Sequence, residues 1–339
     1  MPDQADLHSR IFHEEIRPWL PPRMVDIHCH LSLKENCGPI SPERLKEMWA
    51  IEVGAHQTWE ELQETGRLLL PGIELQFLAF GAPFREMDIP AENRYVLDVM
   101  RRAHGKVRGL YVVRPDETPQ AVDKALEDGF LGLKPYPDLA ESKDGKEPGV
   151  FEMIPRPLLR VLDGRGGILM LHLPRKGRLA DEDNIREVCE LVEEFPGVRT
   201  VVAHVGRAYC LPNAEKGLPR YPKSPNLFFD ISANVNADVF ALALEVVGTQ
   251  RLLYGSDLPI TRMRLKRECV GDDYINYTDG DYSWNTRRKS PEEEARYTYF
   301  LYEELLALIE AARRRALAPV DLEPVLFSNG RRLLDETCR

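Results

Sequence analysis

The chain has 339 residues, 43% of them apolar, and a formal net charge of −10. The acidity argues against a nucleic-acid binder, because phosphate binding needs a basic surface, and no apolar run is long enough for a membrane-spanning helix. Length alone suggests two domains, but strand–helix barrels of this size are routinely one.

Residues 1–23 read as an N-terminal helical extension. The opening MPDQADLHSRIFHEEIRPWLPP is charged and has no apolar signal-peptide core, so the protein is expected in the cytoplasm. Short β-type runs then recur: MVDIHCH (24–30), LQFLAFG (75–81), VRGLYVV (107–113), FLGLKPYP (130–137), GILMLHLP (167–174), VRTVVAHVG (198–206), NLFFDISAN (226–234) and LLYGSDLP (252–259). Several are nearly continuous apolar stretches, as in parallel strands covered by helices. Between them, YVLDVMRRAHG (95–105) and IREVCELVEEF (185–195) place apolar residues three and four apart, the pattern of an amphipathic helix. The segment AVDKALEDGF has a helix-stop signal at Gly129.

Eight strands alternating with helices predict a (β/α)8 TIM barrel, a single domain over residues 24–335. An open doubly wound sheet is the competitor. No glycine-rich phosphate fingerprint follows the first run, which disfavours its dinucleotide-binding version. Residues 207–225, rich in Pro and Gly, read as a loop replacing a helix. After the eighth run, residues 260–289 read as a long loop, polar and aromatic (Tyr274, Tyr277, Tyr282, Trp284), of the length that often serves as a lid. Ser290-Pro291-Glu292 then starts a helix reaching about Arg315. The cysteines at 29, 37, 189, 210, 269 and 338 form no Cys-x-x-Cys pair and are expected to be reduced thiols.

On a strand, alternate side chains share a face, so Asp26, His28 and His30 are expected to point together, with Cys29 opposite. Two imidazoles so placed can grip one cation. His172, His204, Asp257 and Lys134 each close another apolar run, and in a (β/α)8 barrel the strand ends converge on one mouth. Polar groups buried there must satisfy one another or a metal.

This order of residues, together with AHVGR, LLYGSDLP and LFSNGRRLLD, resembles the amidohydrolase superfamily over roughly residues 24–335. The phrases are similar to its amidohydrolase-related (amidohydrolase 2) branch, which contains metal-dependent hydrolases and decarboxylases similar to aminocarboxymuconate semialdehyde decarboxylase. The resemblance implies that His28, His30, His172 and Asp257 hold a metal, that Asp257 is catalytic, and that His204 is a catalytic residue facing the substrate, there to polarise the scissile bond or stabilise an oxyanion, or else a ligand to a second metal. Lys134 corresponds to a carboxylated, metal-bridging lysine of binuclear members, or else holds a substrate carboxylate.

Imidazoles with one carboxylate suit Zn2+, with Mn2+ or Fe2+ as alternatives, at one ion per chain. The expected activity is hydrolysis of a small polar lactone, amide or carboxylated ring compound. The rival classes are a metal-dependent decarboxylase and a non-enzymatic ligand-binding barrel. Asp26 is expected to orient a ligand imidazole. Arg207 and Arg262 are the candidate clamps for a substrate carboxylate, with Arg114, Arg175 and Arg264 also near strand ends. Trp49 and Trp59 either line the pocket or pack helices, while His8, His13, His56 and His104 read as surface residues. A small-molecule substrate is the expected partner, and the sequence leaves room for a homo-oligomer.

Overall fold

The computed structural model describes residues 4–54, 56–140 and 147–337. Nine short strands run parallel to their neighbours: β1 (Arg23–His30), β2 (Glu74–Phe80), β3 (Val107–Gly109), β4 (Tyr111–Val112), β5 (Gly132–Lys134), β6 (Ile168–Leu171), β7 (Arg199–Val202), β8 (Leu227–Asp230) and β9 (Leu252–Leu253). They form one sheet in the order β1-β2-β3 and a second in the order β4 through β9. Chain neighbours are therefore space neighbours, and parallel pairing requires a crossover between them.

Helices supply most crossovers, among them Trp59–Leu69, Ile89–Arg102, Pro119–Glu127, Arg156–Arg165, Glu182–Glu194 and Ala237–Val246. Five of these six starts carry a side-chain cap, and Arg156–Arg165 has proline in its first turn instead. Thr58 and Glu61 make a capping box, and Asp88, Thr118, Asp181 and Asn236 cap their helices through side-chain oxygens. Gly129, just past the third of these helices, takes φ +115°, a conformation open to glycine.

Two seams lie between the sheets. At the first, the chain passes from β3 to β4 through Leu110, whose N–H donates to Ala79 O (3.0 Å), while Leu131 N–H donates to Gly109 O (2.9 Å). At the second, β1 pairs with the chain that follows β9. Ile27 N–H donates to Tyr254 O (3.0 Å), Asp257 N–H to His28 O (2.7 Å) and His30 N–H to Leu258 O (2.8 Å). Strand parity sorts the buried apolar side chains into two clusters. Val25, Ile27, Leu78, Phe80, Val112, Ile168, Met170, Val201, Phe228 and Leu253 share one. Leu169, Leu171, Val202 and Phe229 join helix residues such as Val96, Leu159 and Val188 in the other. Each such side chain contributes about 1.5–3 kcal/mol when fully buried.

Several expectations are corrected. Residues 211–217 form a helix and 218–220 a 3-10 turn where a loop was expected. The segment after β9 is a hairpin, β10 (Arg264–Val270) with β11 (Asp273–Thr278), and β12 (Thr298–Tyr299) adds antiparallel to β10. Its alternation was hidden because both faces carry polar and aromatic groups. Ser290 does cap a helix through a capping box, but that helix stops at Glu294, and β12 separates it from Phe300–Arg314. Cys210 and Cys269 form a disulfide across 59 residues, against the expected reduced thiols. Cys29, Cys37 and Cys189 are free, and Cys338 lies outside the described residues. His8 is buried against Tyr299, 4.3 Å between ring centroids, rather than on the surface. No helix among the described residues is long and apolar enough to cross a membrane.

Candidate metal centre

His28 and His30 end β1, and both are buried. A register shift in the pairing of β1 with β2, between Asp26 and Cys29, changes the alternation that the sequence implies. Asp26 consequently binds backbone and the Ser256 hydroxyl rather than an imidazole. Its Oδ1 accepts the N–H groups of His28 (3.1 Å) and Ser256 (2.9 Å), and its Oδ2 accepts the Ser256 hydroxyl (2.5 Å). It thereby ties the end of β1 to the turn carrying Asp257. Gly255 lets that turn pass close to β1, since a Cβ there would lie 2.7 Å from His28 Cβ.

The imidazole of His28 is oriented instead by Asp230, at the end of β8, through a 2.9 Å contact between Nδ1 and Oδ2. Sequence reasoning missed Asp230, although it closes the run LFFD just as the chosen residues close theirs. Asp230 Oδ1 also accepts the backbone N–H of His204 (2.8 Å), the N–H of Ser232 (3.0 Å) and its hydroxyl (2.5 Å). Against the cost of burial, the adjoining His28 holds the Asp230 carboxyl down to about 2.

These contacts fix tautomers. Asp230 is an acceptor, so His28 carries its proton on Nδ1 and turns the Nε2 lone pair toward Asp257 Oδ1, 3.5 Å away. Nδ1 of His30 faces Gly81 O at 3.4 Å, and its Nε2 faces the same Oδ1 at 3.2 Å. Three ligand-type atoms thus converge, and a cation among them would satisfy all three. Those spacings are close to the edges of a coordination polyhedron built on metal–ligand bonds of about 2.0–2.2 Å. Burial, with the Lys134 ammonium nearby, pushes His28 down to about 4, which keeps it in the neutral, ligating form. Asp257 is held well below the usual carboxylate range, its burial outweighed by His30, His204 and His28.

His204 also lies in a group with metal-ligand spacing, with His28 and Asp230. Its Nδ1 meets Ser232 O at 3.0 Å and Ser232 Oγ at 2.9 Å. His204, Val205 and Arg207 all have φ between 49° and 63°, and Asp257 has φ 56°. Left-handed backbone is unfavourable for a β-branched valine and costs of order 1–3 kcal/mol per residue, so the turn is held in place by its surroundings.

One cavity of about 210 Å3 takes in His28, His30, Lys134, His172, His204, Arg207 and Asp257. That volume lies below the roughly 300–1,000 Å3 of most ligand pockets and leaves room for a compact molecule only. His172 is half-buried with its ring 5.2 Å from His204, but it belongs to neither group with metal-ligand spacing. Lys134 is buried with Nζ 4.7 Å from the Phe80 ring, and burial lowers it to about 8.

The arginines divide. Arg207 Nη1 is committed to the carbonyls of Leu173, Pro174 and Arg175. Arg262 is exposed and does not line the cavity, because the turn after Asp257 carries it outward. Arg114, Arg175 and Arg264 are paired with Asp116, Glu187 and Asp279. Trp49 lines the cavity, whereas Trp59 packs on Phe77. The hairpin adds a residue that the sequence did not single out, Arg267, with Tyr209 and Tyr274 beside it.

A family model described as Amidohydrolase matches residues 25–333. A probable 2-pyrone-4,6-dicarboxylic acid hydrolase from Acinetobacter baumannii, its structure solved with citric acid bound, is similar at 14% identity and a TM-score of 0.58, covering 92% of this chain and 99% of that one. An amidohydrolase from Burkholderia multivorans with bound zinc is similar at 13% identity and a TM-score of 0.59, over 92% and 99%. The 2,6-dihydroxybenzoate decarboxylase from Rhizobium matches at 15% identity and a TM-score of 0.54, over 92% and 98%. No curated protein matches the chain.

Proposed function

The chain belongs to the amidohydrolase family, and from that premise we propose that it is a hydrolase dependent on one divalent cation, acting on a small carboxylated lactone, amide or ring compound. The observation that carries the reading is the convergence of His28 Nε2, His30 Nε2 and Asp257 Oδ1, buried atoms with metal-ligand spacing. We read the two parallel sheets as a single closed (β/α)8 barrel, supported by the hydrogen bonds across both seams. His28, His30 and Asp257 would hold the ion, with His172 completing the set from the same cavity. Zn2+ is the expected metal, with Mn2+ or Fe2+ as alternatives.

A bound divalent cation supplies Lewis acidity and lowers the pKa of water. Asp257, facing both imidazoles, takes the proton of the attacking water and delivers it to the leaving oxygen or nitrogen as the acyl bond breaks. His204 keeps its proton on Nδ1 for Ser232 O, which leaves Nε2 as an acceptor. It therefore acts as a base, or orients a substrate donor, and does not donate to a developing oxyanion. Lys134 is the group suited to that donation.

The test is elemental analysis of protein purified without chelator, followed by assays in 18O-labelled water on carboxylated lactones and aryl amides. The expected result is about one equivalent of metal per chain and one labelled oxygen in the acid product, both lost on chelation and restored by metal. A protein that binds no metal after reconstitution overturns the proposal. Carbon dioxide release without uptake of label assigns it to the decarboxylases of the family.

A further inference from the structure

Arg267 stands on β10 with its guanidinium carbon 4.5 Å from the Tyr209 ring, 4.4 Å from Tyr274 and 4.8 Å from Phe300. Three aromatic rings so placed hold a planar cation in one orientation. Two of its nitrogens are committed: Nε donates to Asn276 Oδ1 (2.8 Å) and Nη1 to Ala233 O (2.7 Å). Among the described residues Nη2 has no hydrogen-bond partner, and no carboxylate forms an ion pair with Arg267. A like charge stands by, since Arg178 shares the same two tyrosine rings, but Arg178 is paired with Asp273. The side chain lines the same cavity as His28, His30 and Asp257. An oriented, partly buried cation without a counterion is costly by itself and matches an anionic ligand.

Resting on the reading of this cavity as the active site, we propose that Arg267 is a specificity-determining residue that binds a substrate carboxylate through Nη2. The enzyme then selects organic acids whose carboxylate reaches the hairpin while the reacting group meets the strand-end cluster. Arg207, the sequence-based candidate for this role, lines the same cavity but has its Nη1 shared among three carbonyls, and no ring among the described residues fixes the plane of its guanidinium as Tyr209, Tyr274 and Phe300 fix that of Arg267. A purely structural Arg267 would pin the hairpin to Ala233 without discriminating between ligands.

The test compares two probes by calorimetry on the metal-treated protein: 3-acetylbenzoate and acetophenone. Both carry the same acyl group with no scissile bond, and only the first carries a carboxylate. Wild-type protein is expected to prefer 3-acetylbenzoate by about ten- to a hundredfold, the strength of one charge-assisted contact. Arg267→Met should erase the preference by weakening 3-acetylbenzoate alone. Equal weakening of both probes, no change in either, or a wild-type protein without the preference overturns the proposal. If Arg267→Met does not fold, Arg267→Lys carries the comparison, because an ammonium cannot reproduce the fork that meets Asn276, Ala233 and a carboxylate together. A several-fold loss of preference is expected there, and an unchanged preference overturns the proposal. Metal content of the same samples separates the two readings. Protein without metal that still shows an Arg267-dependent preference refutes the hydrolase and keeps this assignment, and metal-loaded, active protein without it refutes this assignment alone.

Discussion

His28, His30 and Asp257 stand at the ends of strands whose neighbours in space are their neighbours in the chain, whereas Arg267, Tyr209 and Tyr274 reach the same cavity from segments joined by the Cys210–Cys269 disulfide. The first group is positioned by backbone pairing, with Asp257 N–H on His28 O and His30 N–H on Leu258 O. The second is positioned by side chains and a covalent cross-link. Sites of the first kind are rigid because the sheet is, and they suit bond-making chemistry. Sites of the second kind can change without disturbing the sheet, and they suit the choice of substrate.

If that division holds, damage to the strand-end group should abolish activity without unfolding the protein. His28→Ala is expected to lower activity by more than the roughly 10- to 100-fold typical of losing a residue that merely supports a ligand, with unchanged far-ultraviolet circular dichroism. Activity and metal content equal to wild type would break the comparison. The cross-link should matter to stability instead. Closing 59 residues contributes about 4 kcal/mol in the chain-entropy account, so the Cys210→Ser, Cys269→Ser double variant should unfold at lower urea. It should still bind metal at wild-type stoichiometry, and loss of the metal would show that the two groups are coupled. Asp230→Asn is the subtlest case. It removes the acceptor that holds the His28 proton on Nδ1, so metal affinity should fall about 10- to 100-fold while the fold persists. Competition with a chromogenic chelator measures it, and unchanged affinity would return the orienting role to some other group.

The strand-end group was legible because one rule, a polar residue closing an apolar run, finds His172, His204, Asp257 and Lys134 without knowledge of contacts. The same rule finds Asp230, which closes LFFD, but Asp26 is the acid nearer in sequence to His28 and competes for the same role. Asp26 misled because the register shift after it is a property of pairing with β2, which no local pattern announces. The hairpin was illegible for a different reason. Its strands bury parts of both faces, so period-two alternation is weak, and Arg267 looks like any hairpin arginine until Tyr209, 58 residues earlier in the numbering, packs over it. The disulfide escaped for the same cause, as nothing in the spacing of Cys210 and Cys269 predicts their approach. The helix start at Ser290, by contrast, is set within four residues and is read directly from Ser290-Pro291-Glu292.

The disulfide also makes a covalent macrocycle of residues 210–269, and Asp230, Ser232, Asp257 and Arg267 all lie inside it. The side chains that hydrogen-bond to His28 and His204, together with the proposed proton acceptor Asp257 and the proposed carboxylate clamp Arg267, thus belong to one closed ring of backbone, while His28 and His30 enter from outside it. A protease cutting once within the ring, for example at the exposed Lys223, opens the ring but releases nothing. The two pieces remain one molecule, with the site's two halves still tethered, until a reductant separates them.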